Sequence, residues 1–145
     1  MSDLDKDLAR VLGQYQAAVL AKDADAFMRL YAPEVRVFDA WGVWQYDGAD
    51  AWRQAVEGWF TSLGSERVKV SFDEVHGHAG KEVSTLHAIV TYAALSADGV
   101  PLRSLSNRIT WVLRTTGHVP RIVHEHTSAP MGFDDQKAIL VRPLR

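Results

Sequence analysis

The sequence lacks cysteine, and this absence excludes several kinds of site. None of the 145 residues is a cysteine, so disulfide bonds, thiolate nucleophiles and cysteine-bound zinc or iron–sulfur clusters are ruled out. Neither sign of charge dominates, because 16 basic side chains stand against 18 acidic ones, for a net charge of −2. A nucleic-acid-binding surface needs a concentrated excess of basic residues. We therefore expect no nucleic-acid partner.

Long apolar runs are also missing. No stretch approaches the roughly 20 apolar residues of a transmembrane helix, and the segment from Met1 to Asp5 is acidic, unlike a secretory signal. We therefore expect no membrane partner and predict a cytoplasmic location. A hydrophobic fraction of 47% over 145 residues predicts one domain, residues 1–145, with a core of its own.

Tryptophan is unusually frequent, with five residues in this short chain. Aromatic side chains at such density often line a cavity or an interface. Trp52 and Trp59 fall on a stripe with helical spacing, which favours core packing, although Trp59 is also a candidate ligand-binding residue. Trp41, Trp44 and Trp111 fall on predicted strands or their turns. We expect these three to form part of a pocket wall.

The spacing of apolar residues changes along the chain. The first half has mostly helical spacing, with helices predicted over residues 4–19, after Asp23, and over 52–63. Alternating patterns predict short strands at 35–38 and 43–46, then longer ones at 68–72, 83–95, 103–114 and 121–127. Helices first and strands afterwards predict an α+β fold, with N-terminal helices packed in a strongly curved antiparallel sheet.

The turn at residues 117–118 sets the predicted register of the last hairpin. With these two residues in the turn, Trp111 lies opposite His124 and Ile109 lies opposite His126. One face of the hairpin is then apolar and carries both imidazoles, which suits a cavity wall. The opposite face is charged.

His124 and His126 accept two readings at this point. Inside a pocket they would contact a ligand or act as acid and base. A structural role for both is an equal alternative. Two histidines at this spacing on a strand could also share a metal, but no clear third ligand stands nearby, so no metal is expected.

The segment from Ile122 to Pro130, Ile-Val-His-Glu-His-Thr-Ser-Ala-Pro, resembles the C-terminal strand of the nuclear transport factor 2-like superfamily. It is most similar to the SnoaL-like, ketosteroid-isomerase-related group, which also has an Arg-x-Thr sequence like residues 108–110. Residues 46–53 resemble the group's Gly-x-x-Ala entry into its third helix. The ending is also similar to that of the association domain of calcium/calmodulin-dependent kinase II. Pro120 departs from the group, which usually has tryptophan there.

This resemblance implies a cone-shaped fold, in which a bent sheet wraps around the helices and leaves a deep pocket at its open end. Members are usually dimers through the outer face of the sheet, so a homodimer is expected. The superfamily includes isomerases, dehydratases, epoxide hydrolases, polyketide cyclases and non-catalytic binders. Its enzymes mostly use acid and base groups alone, so no cofactor is implied. The fold by itself does not give the activity.

The ketosteroid isomerase pattern implies candidate catalytic residues. That enzyme uses a tyrosine of the first helix as an oxyanion donor and an aspartate as the base. Tyr15 and Asp39 stand at the matching positions, and His126 is the candidate second polarising group. A structural role is the alternative for the first two, with Tyr15 in the core and Asp39 in a turn at the strand end. The isomerase's second carboxylic acid has no counterpart on the pocket-facing side of residues 103–114. Ala40 replaces the proline that follows its base, so steroid isomerisation itself is in doubt.

Aromatic residues near Asp39 are expected to complete the pocket, because an apolar wall raises the pKa of a carboxyl group. The predicted ligand-binding residues are Trp41, Trp44, Tyr46, Trp59, Ile109, Trp111 and His124. Three functions remain open. The first is an isomerase, cyclase or dehydratase acting on a small apolar carbonyl compound, and the second is a non-catalytic protein that binds a small hydrophobic ligand. The third is an oligomerisation module.

Overall fold

Three helices precede the longest strands in the computed structural model, which describes residues 4–143. They are α1 (Lys6–Ala21), α2 (Ala24–Met28) and α3 (Ala49–Ser62). Helix α1 begins at Asp5, whose Oδ1 accepts the backbone N–H groups of Asp7 and Leu8. This cap satisfies two donors that the first turn would otherwise leave unpaired. None of the helices in the described part of the chain is long and apolar enough to cross a membrane.

Six strands form one sheet in the order β2-β1-β6-β5-β4-β3. Their bounds are β1 (Tyr31–Phe38), β2 (Tyr46–Asp47), β3 (Arg67–His78), β4 (Val83–Leu95), β5 (Pro101–Arg114) and β6 (Arg121–Ser128). The predicted α+β class is confirmed. The sheet is mixed rather than wholly antiparallel, because β1 runs parallel to β6. A parallel pair needs a long connection, and here β2, α3 and three further strands separate the two partners along the chain.

The helices cover one face of this sheet, which we call the inner face. Helix α1 contacts β3, α3 contacts β1 and β2, and α2 joins the two longer helices. Buried side chains from all three helices and from five strands, β1 and β3–β6, form one hydrophobic cluster. The inner face therefore holds both the core and the space for a site.

A bulge in β6 changes the register of the last hairpin. Leu113 pairs with Ile122 as predicted, but the next pair is Val112 with His124. Val123 is therefore an extra residue on β6. Because side chains alternate along a strand, one extra residue turns every following side chain to the opposite face.

The predicted placement of the two histidines on the cavity face is consequently wrong. Trp111 lies opposite Glu125 rather than His124, and His126 lies opposite Thr110 rather than Ile109. Glu125 is on the inner face and only 2% exposed. Because of the bulge, the residue beside Trp111 is Glu125 and not the predicted His124.

Candidate functional site

A cavity of about 540 Å³ lies between α3, the loop after β1 and the inner face of the sheet. Much of its wall is apolar and aromatic, with Trp41, Tyr46, Trp52, Val56, Trp59 and Leu63. Its polar groups include Tyr15, Asp39, Tyr92, Asn107 and Glu125. An apolar cavity with a few convergent polar groups is the usual form of a small-molecule site.

The most deeply buried acid in the cavity wall is Glu125. Its Oε1 accepts the hydroxyl of Tyr31 at 2.5 Å and the indole N–H of Trp111 at 2.9 Å. Tyr31 and Trp111 are themselves buried and hold the carboxyl group in place. Because both donors use Oε1, the other oxygen, Oε2, is the one left to carry a proton.

Burial raises the pKa of Glu125 to about 7. The hydrogen bonds from Tyr31 and Trp111 lower this pKa, because they stabilise the ionised carboxylate, and the negative charge of Asp39 raises it. Both protonation states of Glu125 are therefore populated near neutral pH. A buried carboxyl group with this pKa can donate a proton and then recover it.

Asp39 follows the last residue of β1 and lies half-buried in the cavity wall. Its Oδ1 accepts the hydroxyl of Thr127 at 2.8 Å, and the oxygen of that hydroxyl accepts the backbone N–H of Ala40 at 2.8 Å. Burial raises the pKa of Asp39, while the hydrogen bonds from Thr127 and from the backbone of Ala40 and Trp41 lower it. Thr127 thus fixes Asp39 from the neighbouring strand.

Two tyrosines form the third polar part of the wall. The hydroxyl oxygens of Tyr15 and Tyr92 lie 2.8 Å apart, and either can be the donor. One hydrogen lies between them, which leaves the second hydroxyl hydrogen free to bind a ligand oxygen. Burial raises the pKa of both tyrosines, and Glu125 raises each further by its charge. The pair therefore stays protonated and has a hydrogen to donate.

The structure brings together five of the residues singled out from the sequence. Tyr15, Asp39, Trp41, Tyr46 and Trp59 all line the cavity. Within the loop after β1, Gly42 also lines it and has φ +80°, a conformation that favours glycine. Gly42 directly follows Trp41, so the turn lies at the cavity wall.

Other predicted ligand-binding residues lie elsewhere. Trp44 is 95% exposed on the loop, outside the cavity wall. Ile109 and Trp111 are in the core, where Trp111 reaches the cavity only through its bond to Glu125. The tryptophan is therefore a support for an acid rather than a contact for a ligand.

His124 and His126 lie on the outer face of the sheet. Their rings flank Phe38 at centroid distances of 5.0 and 5.4 Å, and Nδ1 of His124 lies 2.7 Å from the backbone oxygen of Arg36. Neither ring lines the cavity, so neither can polarise a carbonyl group bound there. Among residues 4–143, no three His, Asp or Glu side chains are grouped so that they could hold a metal ion.

Comparison with known proteins agrees with this architecture. A family profile described as "SnoaL-like domain" matches residues 8–132, which include all but the first two residues of α1, the other helices, the sheet and every cavity residue described above. No curated protein matches the sequence.

Solved structures show the same fold. A protein described as NTF2-like and of unknown function, from Pseudomonas putida KT2440, is similar with 22% identity, a TM-score of 0.80 and 94% of each chain covered. A putative calcium/calmodulin-dependent protein kinase II association domain from Xanthomonas campestris has 15% identity, a TM-score of 0.74 and 89% of each chain covered. The beta subunit of a benzoate 1,2-dioxygenase from Burkholderia mallei has 16% identity and a TM-score of 0.71, over 88% of this chain and 92% of that one. The resemblance noted in the sequence is thereby confirmed for the fold.

Proposed function

The chain belongs to the SnoaL-like family, and from that premise we propose that it catalyses proton transfer on a small, largely apolar carbonyl compound. The reaction is an isomerisation, cyclisation or dehydration that needs no cofactor. One observation carries the proposal: Asp39 and Glu125, two carboxyl groups with raised pKa values, line the same apolar cavity. A base and an acid in one water-poor site are the groups that this chemistry requires.

Enolisation is the step that the three reactions share. The carboxylate of Asp39 takes a proton from the carbon next to the carbonyl group, and the C–H electron pair becomes the C=C bond of an enol. Protonated Glu125 gives its proton to the carbonyl oxygen, while the free hydroxyl hydrogen of the Tyr15–Tyr92 pair donates to the same oxygen. Asp39 ends neutral and Glu125 ends ionised.

The second step decides the product. Return of the Asp39 proton to a different carbon gives an isomer. In each case ionised Glu125 takes back the proton of the enol oxygen. Loss of a β-hydroxyl group with the Asp39 proton gives water and a dehydrated product, and attack of the enol carbon on a second carbonyl gives a ring, with the Asp39 proton passing to the second carbonyl oxygen. All three use the same base and acid, so the residues described here support the common step rather than one of its outcomes.

Hydrogen–deuterium exchange tests the common step without a natural substrate. In deuterium oxide, the protein should exchange the α-hydrogens of α-tetralone faster than buffer does, as measured by NMR. Asp39→Asn should lower the enzymatic rate by about 100-fold or more, the usual contribution of a general base. Asp47→Asn changes an exposed residue outside the cavity wall, so it is the matched control and should leave the rate unchanged. An equal rate in wild type and Asp39→Asn would contradict the proposal.

The alternative is a binding protein that performs no reaction. Its distinguishing result is tight binding of the ketone with no exchange above the buffer rate. The mostly apolar wall suits binding equally well. What favours catalysis is the presence of two desolvated carboxyl groups, which cost stability and are not needed to hold an apolar molecule.

We also propose that the chain forms a homodimer through the outer face of the sheet. The helices pack on the inner face, and on the outer face the half-buried Phe38 lies between His124 and His126. Sedimentation at micromolar concentration should give the mass of two chains. A mass of one chain would contradict this assembly without affecting the proposed chemistry.

A further inference from the structure

Two buried polar atoms in the cavity wall lack a hydrogen-bond partner among residues 4–143. They are Nε1 of Trp52 and Oδ1 of Asn107. Both side chains are more than nine-tenths buried and both line the cavity. Because an unpaired buried polar group costs free energy, native structures rarely keep one without a reason. Both atoms are covered by protein, so only a side chain that also borders the cavity is a candidate for contact with a bound molecule.

The two atoms differ in their surroundings. The indole of Trp52 lies beside Tyr31 and lowers its pKa as a hydrogen-bond donor, although the contact does not have the geometry of a normal hydrogen bond. It therefore already acts on a neighbouring protein group. Asn107 stands on β5 opposite Val90, and Ile109 is the next inward-facing residue on the same strand. Asn107 itself lines the cavity, with the apolar Val90 and Ile109 as its neighbours in the sheet.

We propose that Asn107 determines specificity by hydrogen-bonding a hydroxyl group of the bound carbonyl compound. A terminal amide can turn by a half rotation to present either its oxygen or its NH₂ group. A hydroxyl group both donates and accepts, so it satisfies the amide in either orientation. A ligand without the hydroxyl group leaves the amide unpaired, and such a site discriminates strongly against the analogue.

This inference rests on the proposed function and narrows its substrate class. The ligand carries a carbonyl group for Glu125 and the Tyr15–Tyr92 pair, and a separate hydroxyl group for Asn107. A purely hydrocarbon ketone fits the apolar wall but lacks this second polar contact. The substrate is thus a hydroxylated carbonyl compound rather than a simple apolar one.

Calorimetric binding of two matched kinds of ketone tests the inference. The probes are α-tetralone and the set of its derivatives that carry one hydroxyl group on the ring. Their binding is measured on the wild-type protein. At least one hydroxylated isomer should bind about tenfold more tightly than α-tetralone, the effect of one hydrogen bond to a buried group. The inference is overturned if every hydroxylated isomer binds within twofold of the affinity of α-tetralone. This holds even if a water molecule forms a hydrogen bond with Asn107.

Variants then assign the effect to Asn107. In Asn107→Leu the preference for the hydroxylated isomer should fall to near one, and the affinity for α-tetralone should stay or improve. Ser106→Ala is the matched control. It changes the neighbouring residue on β5, whose hydroxyl bonds Thr91 of β4 away from the cavity, so it should keep the preference. If circular dichroism shows that Asn107→Leu does not fold, Asn107→Met replaces it.

The outcomes separate this inference from the proposed function. A preference that survives in the Asn107 variant overturns the role of Asn107, while exchange at the α-carbon still tests Asp39. Failure of every tetralone to bind contradicts both. Equal binding with normal exchange contradicts the role of Asn107 alone.

Discussion

The two faces of β6 place neighbouring titratable residues in opposite environments. Glu125 faces the cavity, is 2% exposed and has a pKa of about 7. His124 and His126, on either side of it in sequence, face outward and pack around Phe38. By residue type alone, the histidines are the better candidates for chemistry near neutral pH. Burial reverses this order, so the environment of a side chain matters more here than its ordinary pKa.

The largest expected effect comes from replacing one titratable residue on each face of β6 by glutamine. Glu125→Gln keeps the size of the side chain but removes its acid, so the rate of ketone exchange should fall by about 100-fold. His126→Gln on the outer face is the matched control and should leave the rate unchanged. Comparable losses in both variants would show that the inner and outer faces do not differ in the way described.

The next effect is on stability. The pKa of Glu125 rises from 4.5 to about 7 on folding, so between these values the folded state binds more protons than the unfolded state. The free energy of unfolding should therefore decrease as the pH rises through this range, by about 3 kcal/mol from this group.

Urea unfolding at about pH 4.5, 6 and 8 measures this effect. Glu125→Gln should lose the decrease, since glutamine does not titrate. His126→Gln should keep it. A wild-type stability that does not depend on Glu125 across this range would mean that the carboxyl group is solvated in the folded state.

A smaller effect is expected from the hydrogen bond between Tyr31 and Glu125. Tyr31→Phe removes one donor to the ionised carboxylate, so the pKa of Glu125 should rise by about one unit. Because the proposed acid must be protonated, the alkaline limit of ketone exchange should move to higher pH by the same amount. A shift to lower pH would contradict the direction of this hydrogen bond.

The smallest effect concerns Asp39. Thr127→Val removes the hydroxyl that donates to its Oδ1 and should raise the pKa of Asp39, which moves the acidic limit of exchange upward by less than about one unit. Thr110→Val, on the outer face opposite His126, is the control. The pH profile of Thr110→Val should match that of the wild type.

Much of the fold could be predicted from the sequence. The strand Val83–Leu95 has the predicted bounds, because its alternation is long and uninterrupted. The short β2 differs, since Tyr46–Asp47 replaces the predicted 43–46; a two-residue strand leaves too weak a pattern to locate. The resemblance to a known group singled out Tyr15 and Asp39, and both line the cavity in the structure. Their catalytic roles are proposals.

Glu125 could not be found in the same way. Its inward position depends on the extra residue Val123, and neither glycine nor proline marks that point of β6. Regular alternation from Ile122 therefore predicts the wrong face. Only the tertiary packing shows otherwise, because Ile122 and Thr127 are both buried although they are five residues apart and regular alternation would put them on opposite faces.

The most direct test of the account is a titration of Glu125 itself. Carbon-13 NMR of the side-chain carboxyl carbon, assigned by comparison with Glu125→Gln, reports its protonation in the folded wild-type protein. We expect a midpoint at about pH 7. A midpoint near 4.5, the ordinary value for glutamate, would contradict the claim that a desolvated acid lines the cavity.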